Sequence, residues 1–95
     1  MYARVFNSQL VSGKTDEVVS IWRDKVAPAM KQAKGFTGAY LVGDRKTDKG
    51  LTITLWETEA DASAMNAGLP QILALFDGLF AAQPELNQYE VLLQV

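Results

Sequence analysis

Along this chain of 95 residues the spacing of apolar positions switches between the period of a strand and that of a helix. Tyr2 to Val11 contains neither Gly nor Pro and carries Val5, Phe6, Leu10 and Val11, which predicts a first strand. Ser12-Gly13 breaks it. Thr15 is placed as an N-cap, with Asp16 and Glu17 where a helix start favours negative charge. Val18, Trp22, Val26, Ala29 or Met30, and Ala33 then recur at helical spacing. Pro28 removes an N–H that would bond the Asp24 carbonyl, so a kink is expected near Ala27. Gly35 suits the left-handed position that closes a helix. Phe36 to Val42 and Leu51 to Trp56 read as two more strands, joined by the polar, glycine-bounded loop Gly43 to Gly50. Thr58 and Asp61 resemble a capping box for a helix reaching about Ala67. Gly68 stops that helix and Pro70 restarts it, with Leu69, Ile72, Leu73, Phe76, Leu79 and Phe80 as an apolar stripe. After Pro84, Asn87 to Val95 closes the pattern as a fourth strand.

The order β-α-β-β-α-β predicts one α+β domain over residues 1–95, ferredoxin-like, with a four-stranded antiparallel sheet and a split second helix. A sheet with helices on one face and water on the other should alternate cleanly. These strands do not. Leu51, Ile53 and Leu55 oppose Thr52, Thr54 and Trp56; Phe36, Tyr40 and Val42 oppose Ala39 and Leu41; Tyr89, Val91, Leu93 and Val95 oppose Leu92. Large apolar residues on both faces call for a cover on the face that the helices leave open. A second copy of the same sheet supplies it, so a homodimer through the sheet face is expected.

Composition strengthens that expectation. Hydrophobic residues make up 48% of the chain against 21% charged, more apolar surface than a small monomer hides easily. With no cysteine and no histidine, neither a disulfide nor an ordinary thiolate or imidazole metal site can stabilise so short a chain. A net charge of −2 argues against nucleic acid or an anionic membrane surface as partner. No apolar run approaches the roughly 18–20 residues of a membrane span, and Met1 to Asn7 lacks the apolar core of a signal peptide. A cytoplasmic location is therefore expected.

Several segments together resemble the antibiotic biosynthesis monooxygenase-like family of dimeric α+β barrels. They are the turn Gly13-Lys14 after the first strand, a helix with the late Pro28, the run Lys34-Gly35-Phe36-Thr37-Gly38, and the run Trp56-Glu57-Thr58-Glu59-Ala60-Asp61-Ala62. The resemblance extends from about Tyr2 to Val95. It implies sheets paired face to face into a barrel, and one of several chemistries, since fold does not dictate function. Against the haem-degrading branch, Asn7 and Trp56 match two functional positions, but the iron-ligating histidine has no counterpart; Asn66 lies near its place, and Tyr40 or Tyr89 would be unusual ligands.

The cofactor-free oxygenase branch fits better. Its substrate is electron-rich, and the protein supplies an apolar pocket, a hydrogen bond to an ionising phenol and room for dioxygen. Asn7, with two amide donors and an acceptor, is the candidate for that hydrogen bond, and the resemblance places it beside Trp56, toward the helices. Trp56 would shape the pocket; Trp22, Met30, Tyr40, Phe76 and Phe80 would wall it. Each has a plainer reading: a strand-end amide bonded to backbone for Asn7, core packing for the others. Arg4 and Arg23 could meet an anionic substrate, though single arginines are usually solvated or paired. No general base stands out.

Other readings fail on residues. Gly13-Lys14-Thr15 lacks the glycine of a phosphate-binding loop, since Ser8 holds its place. An RNA-recognition strand would need aromatics where Leu51 and Ile53 stand. The expectation is thus a cofactor-independent monooxygenase of a small aromatic such as a hydroquinone or anthrone, with no metal and no cofactor. The alternative is a non-catalytic dimeric barrel that binds a small hydrophobic ligand.

Overall fold

The computed structural model describes all residues, Met1–Val95. The elements run β1 (Tyr2–Gln9), α1 (Thr15–Ile21), a π-helical turn (Trp22–Val26), α2 (Ala27–Lys31), β2 (Phe36–Asp44), β3 (Lys49–Trp56), α3 (Glu59–Ala64), a 3-10 turn (Met65–Gly68), α4 (Leu69–Ala74) and β4 (Glu85–Glu90). The four strands form one antiparallel sheet in the order β2-β3-β1-β4, the ferredoxin-like arrangement expected. No helix is long and apolar enough to cross a membrane.

Local chemistry explains most boundaries. Thr58 Oγ1 accepts a hydrogen bond from the Asp61 N–H at 3.0 Å and opens α3. Pro70 sits in the first turn of α4, where its missing N–H costs nothing. Lys14, and not Thr15, is the residue that caps α1, and no side chain bonds there. Pro28 acts differently from the expected kink. The turn before it widens, and the Ala27 N–H reaches back five residues to the Trp22 carbonyl. A π-helical turn thus absorbs the break and brings Trp22 and Val26 inward.

Gly35 has φ +82 after the helix end, and a Cβ there would overlap the Asp61 side chain. Gly35→Ala is therefore expected to destabilise the fold by about 1–3 kcal/mol, a drop of several degrees in thermal midpoint. A melting curve checks this; an unchanged midpoint would remove both strain and overlap as constraints.

Register decides the faces. Tyr2 pairs with Trp56 and with Glu90, and Arg4 pairs with Thr54 and with Gln88. Even-numbered β1 residues therefore share a face with Trp56, and that face meets the helices. The core lies there: Leu10, Val18, Val26, Met30, Trp56, Ala62, Phe76 and Leu79 are buried. A bulge between Phe36 and Gly38 shifts β2 by one residue. Phe36 thereby joins Trp56 on the helix side, with Ala39 and Leu41, instead of facing the same way as Tyr40 and Val42. The other face carries Ala3, Val5, Leu51, Ile53, Leu55, Tyr40, Val42 and Tyr89 with no element over it. The last strand is shorter than expected. Its final bond is from the Val91 N–H to the Met1 carbonyl at 2.9 Å, and Leu92, Leu93 and Val95 lie beyond the sheet and are exposed.

Candidate functional site

Between the helix face of the sheet and the apolar sides of the helices lies a cavity of about 230 Å³. Its sheet wall is built by rows of paired residues: Arg4 with Thr54, Phe6 with Thr52 and Leu86, Ser8 with Gly50. Those rows run from Arg4 to Ser8, four steps along β1, or about 13 Å at ordinary strand rise. Val18, Trp22 and Val26 close it from the first helical segment, Ile72 and Leu73 from α4, and Phe76 from the turn that follows it. The 3.6-residue period of those stripes puts them there, since each helix lays one apolar side on the sheet.

The two ends differ in polarity. The end nearer the β2–β3 hairpin carries Arg45 and Lys49, both exposed. Arg45 Nη2 donates to Asp16 Oδ1 at 2.8 Å and ties the hairpin to the first turn of α1. That hydrogen bond holds the Asp16 carboxyl below the usual carboxylate range. The tie is complete at neutral pH and is lost as pH falls through the lowered value. The pair is exposed, so it steers the hairpin more than it stabilises the fold.

At the other end is Arg4, 6% exposed. Its Nη1 donates to the Ala62 carbonyl at 3.0 Å, to Asn66 Oδ1 at 2.9 Å and to Gln88 Oε1 at 3.4 Å. All three acceptors are neutral, and Arg4 enters none of the chain's ion pairs. Burial alone pushes its guanidinium below the ordinary arginine value, though arginine keeps its proton. Beside it Thr54, 5% exposed, accepts the Trp56 indole N–H at 2.9 Å.

Of the residues expected at a site, Trp22, Met30, Phe76 and Phe80 all line this cavity. Asn7 does not. It pairs with Leu51 and Glu85 and stands exposed on the open face, in a shallow depression with Val42, Asp44 and Lys49. It therefore cannot share a site with Trp56, because β1 residues of odd number point away from the helices. Tyr40, paired with Ile53, is on that same open face and 63% exposed, so it walls no cavity. Trp56 faces the helices as expected but is fully buried, edge-on to Phe36 at 5.4 Å, and does not reach the cavity. It acts on the cavity only by holding Thr54. Arg4 is the residue that reading by type undervalued. Its signal was present: Tyr2 and Phe6, two positions to either side, put Arg4 on an aromatic strand face.

No group of three or more carboxylate, histidine or cysteine side chains converges in a way that could hold a metal ion. The cavity is thus an apolar slot with one buried cation and a threonine hydroxyl at its inner end.

No protein-family model matches the chain. Two uncharacterized proteins of Mycobacterium tuberculosis, Rv2557 and MT2634, are each 30% identical to it over 94 residues. The match takes in 96% of this chain and 41% of theirs, so the chain spans about two fifths of the length of these relatives. Among solved structures, the haem degrader MhuD of M. tuberculosis is similar, with TM-score 0.77 and 22% identity over 100% of this chain and 99% of that one. SnoaB, a cofactor-independent oxygenase from Streptomyces nogalater, superposes with TM-score 0.80 and 15% identity, covering 99% and 95%. The monooxygenase ActVA-Orf6 of Streptomyces coelicolor, solved with nanaomycin D, gives 0.75 and 14%, covering 99% and 89%. With element order, strand order and these superpositions in agreement, the chain has the fold of the antibiotic biosynthesis monooxygenase-like proteins.

Proposed function

We propose that the chain is a cofactor-independent oxygenase that takes a small, electron-rich aromatic such as a hydroquinone or anthrone into the cavity between sheet and helices. The observation that carries this reading is the cavity itself: about 230 Å³, mostly apolar, with polar groups gathered at its ends. An apolar cavity of about 150 Å³ already holds benzene, so this one has room for a larger ring system or for a ring and dioxygen. An anthrone supplies all the electrons required. Loss of a ring-methylene proton to a solvent water as the anthrone enters gives the enolate, whose carbon bonds dioxygen, and a proton returned from that water completes the hydroperoxide. The second methylene hydrogen then leaves as a proton while the O–O bond breaks, so CH₂ and O₂ become C=O and water. The chain's part is to exclude bulk water and to stabilise the enolate oxygen with fixed donors.

Haem fits poorly. The chain has no histidine; Tyr40 and Tyr89 stand on the far face of the sheet, and the cavity offers only the thioethers of Met30 and Met65.

Oxygen uptake with a panel of hydroquinones and anthrones tests the reading. Uptake above background is expected, falling at least tenfold in Leu73→Trp, whose indole intrudes on the cavity, and unchanged in Asn7→Ala, on the other face. No uptake above background across the panel would sink the oxygenase reading. Loss in Asn7→Ala alone would move the chemistry to the open face.

The chain is also proposed to pair with a second copy through that open face. Its accessible surface of 6148 Å² exceeds the roughly 5,400 Å² usual for a monomer of 10.4 kDa. The excess is close to the ~800 Å² that one partner contributes to a standard interface.

A further inference from the structure

We infer that the occupant of the cavity is an aromatic anion, and that Arg4 holds its oxyanion through Nε and Nη2. The inference deepens the reading above and rests on it: the cavity is taken as the binding site, and Arg4 names the chemical class that enters.

Every hydrogen bond of the Arg4 guanidinium leaves from Nη1. No fully buried polar side-chain atom in the chain lacks a partner, so Nε and Nη2, which bond nothing, are not wholly closed off. Arg4 lines the cavity, and we take the cavity to be that space. Nη1 has two hydrogens, so its longer contact to Gln88 shares one of them; the bonds on this side fix the plane of the group and leave the side-on edge formed by Nε and Nη2 as a preset fork for two oxygens, or for one shared between them.

Charge points the same way. A buried cation without a carboxylate is costly, and replacing such a group by an apolar one is often neutral or stabilising. Its acceptors do not need it. The Ala62 carbonyl already accepts the Met65 N–H, and the exposed Asn66 and half-buried Gln88 amides can turn to water. Arg4 is therefore poorly explained as a structural strut. An incoming oxyanion would complete it, at the buried end of a mostly apolar slot where the attraction is strong. For a phenol or enol the same contact favours the ionised form, the one that reacts with dioxygen.

The test compares 2-naphthoate with its neutral amide, 2-naphthamide, by quenching of Trp22, the one tryptophan on the cavity wall. In the wild type naphthoate is expected to bind at least tenfold tighter than the amide. Arg4→Met should abolish that preference while leaving amide binding and the thermal midpoint unchanged or raised; Arg4→Lys should keep part of it. A third ligand, 2-naphthol, should lose its proton at lower pH when bound to wild type than when bound to Arg4→Met, read in phenolate absorbance. Equal affinity for naphthoate and amide, or an Arg4→Met variant that still prefers naphthoate, would overturn the anion assignment and leave the oxygenase reading standing. Binding of neither ligand would overturn both. A large fall in thermal midpoint for both Arg4 variants, with charge preference intact in Arg4→Lys and Arg4→Met alike, would make Arg4 a strut.

Discussion

Replacing Trp56 by alanine is expected to remove about 3–5 kcal/mol of stability, enough to leave a small domain largely unfolded at physiological temperature. Trp56 is fully buried at the end of β3, packed edge-on against Phe36, and its indole N–H bonds Thr54 Oγ1 at 2.9 Å. Truncation opens a cavity where sheet and helices are in contact and strips Thr54 of a partner. Trp56→Phe should cost less, about 1–2 kcal/mol, because the ring volume is mostly kept and the lost bond is one of neutral groups. Urea unfolding of the three proteins checks the order. A cost below 1 kcal/mol for the alanine variant would mean that Trp56 is not part of the core. The folded Trp56→Phe variant should also keep the fluorescence response to ligand, since Trp22 and not Trp56 faces the cavity.

The second large effect is on assembly. Ile53→Asp is expected to weaken self-association by about 100-fold or more, turning a dimer at micromolar concentration into a monomer by light scattering. Ile53 lies between Tyr40 on β2 and Val5 on β1, in the middle row of the open face. The rows on either side carry Val42 with Leu51, and Leu55 with Ala3 and Tyr89. In a two-fold interface each substitution counts twice, so two carboxylates would be buried together. Cavity binding measured on the monomeric variant should persist, since Ile53 points away from Arg4 and Thr54. A wild-type monomer at micromolar concentration would leave the open face without the partner proposed for it.

These predictions rest on facts that differ in how early they can be read. The element order, the split second helix, Gly35 as a left-handed terminator and Thr58 as a cap follow from local chemistry, which acts within a few residues. The apolar stripe on the first helical segment is equally local, and Trp22 and Met30 from it line the cavity. The stripe expected on the second helix outruns that helix: Ile72 and Leu73 lie on α4, which ends at Ala74, while Phe76 and Phe80 reach the cavity wall from beyond it, Phe80 through a bridge to Leu10. That both sheet faces are apolar could likewise be read strand by strand, because side chains alternate with a period of two.

What tertiary structure alone decided is which face each strand shows to the helices. β1 bears Tyr2, Arg4, Phe6 and Ser8 on one side and Ala3, Val5, Asn7 and Gln9 on the other, and neither side declares itself the core. The pairing of Tyr2 with Trp56 settles it and sends Arg4 inward and Asn7 outward. A shift of one residue would reverse both, since register moves every side chain at once. The bulge after Phe36 has the same character: it separates Phe36 from Tyr40, and only the paired strand reveals it. Sequence by itself therefore determined the elements and the amphipathic stripes, which depend on neighbours along the chain. The identity of the buried cation depended on partners more than forty residues away, and that is a property of the assembled sheet.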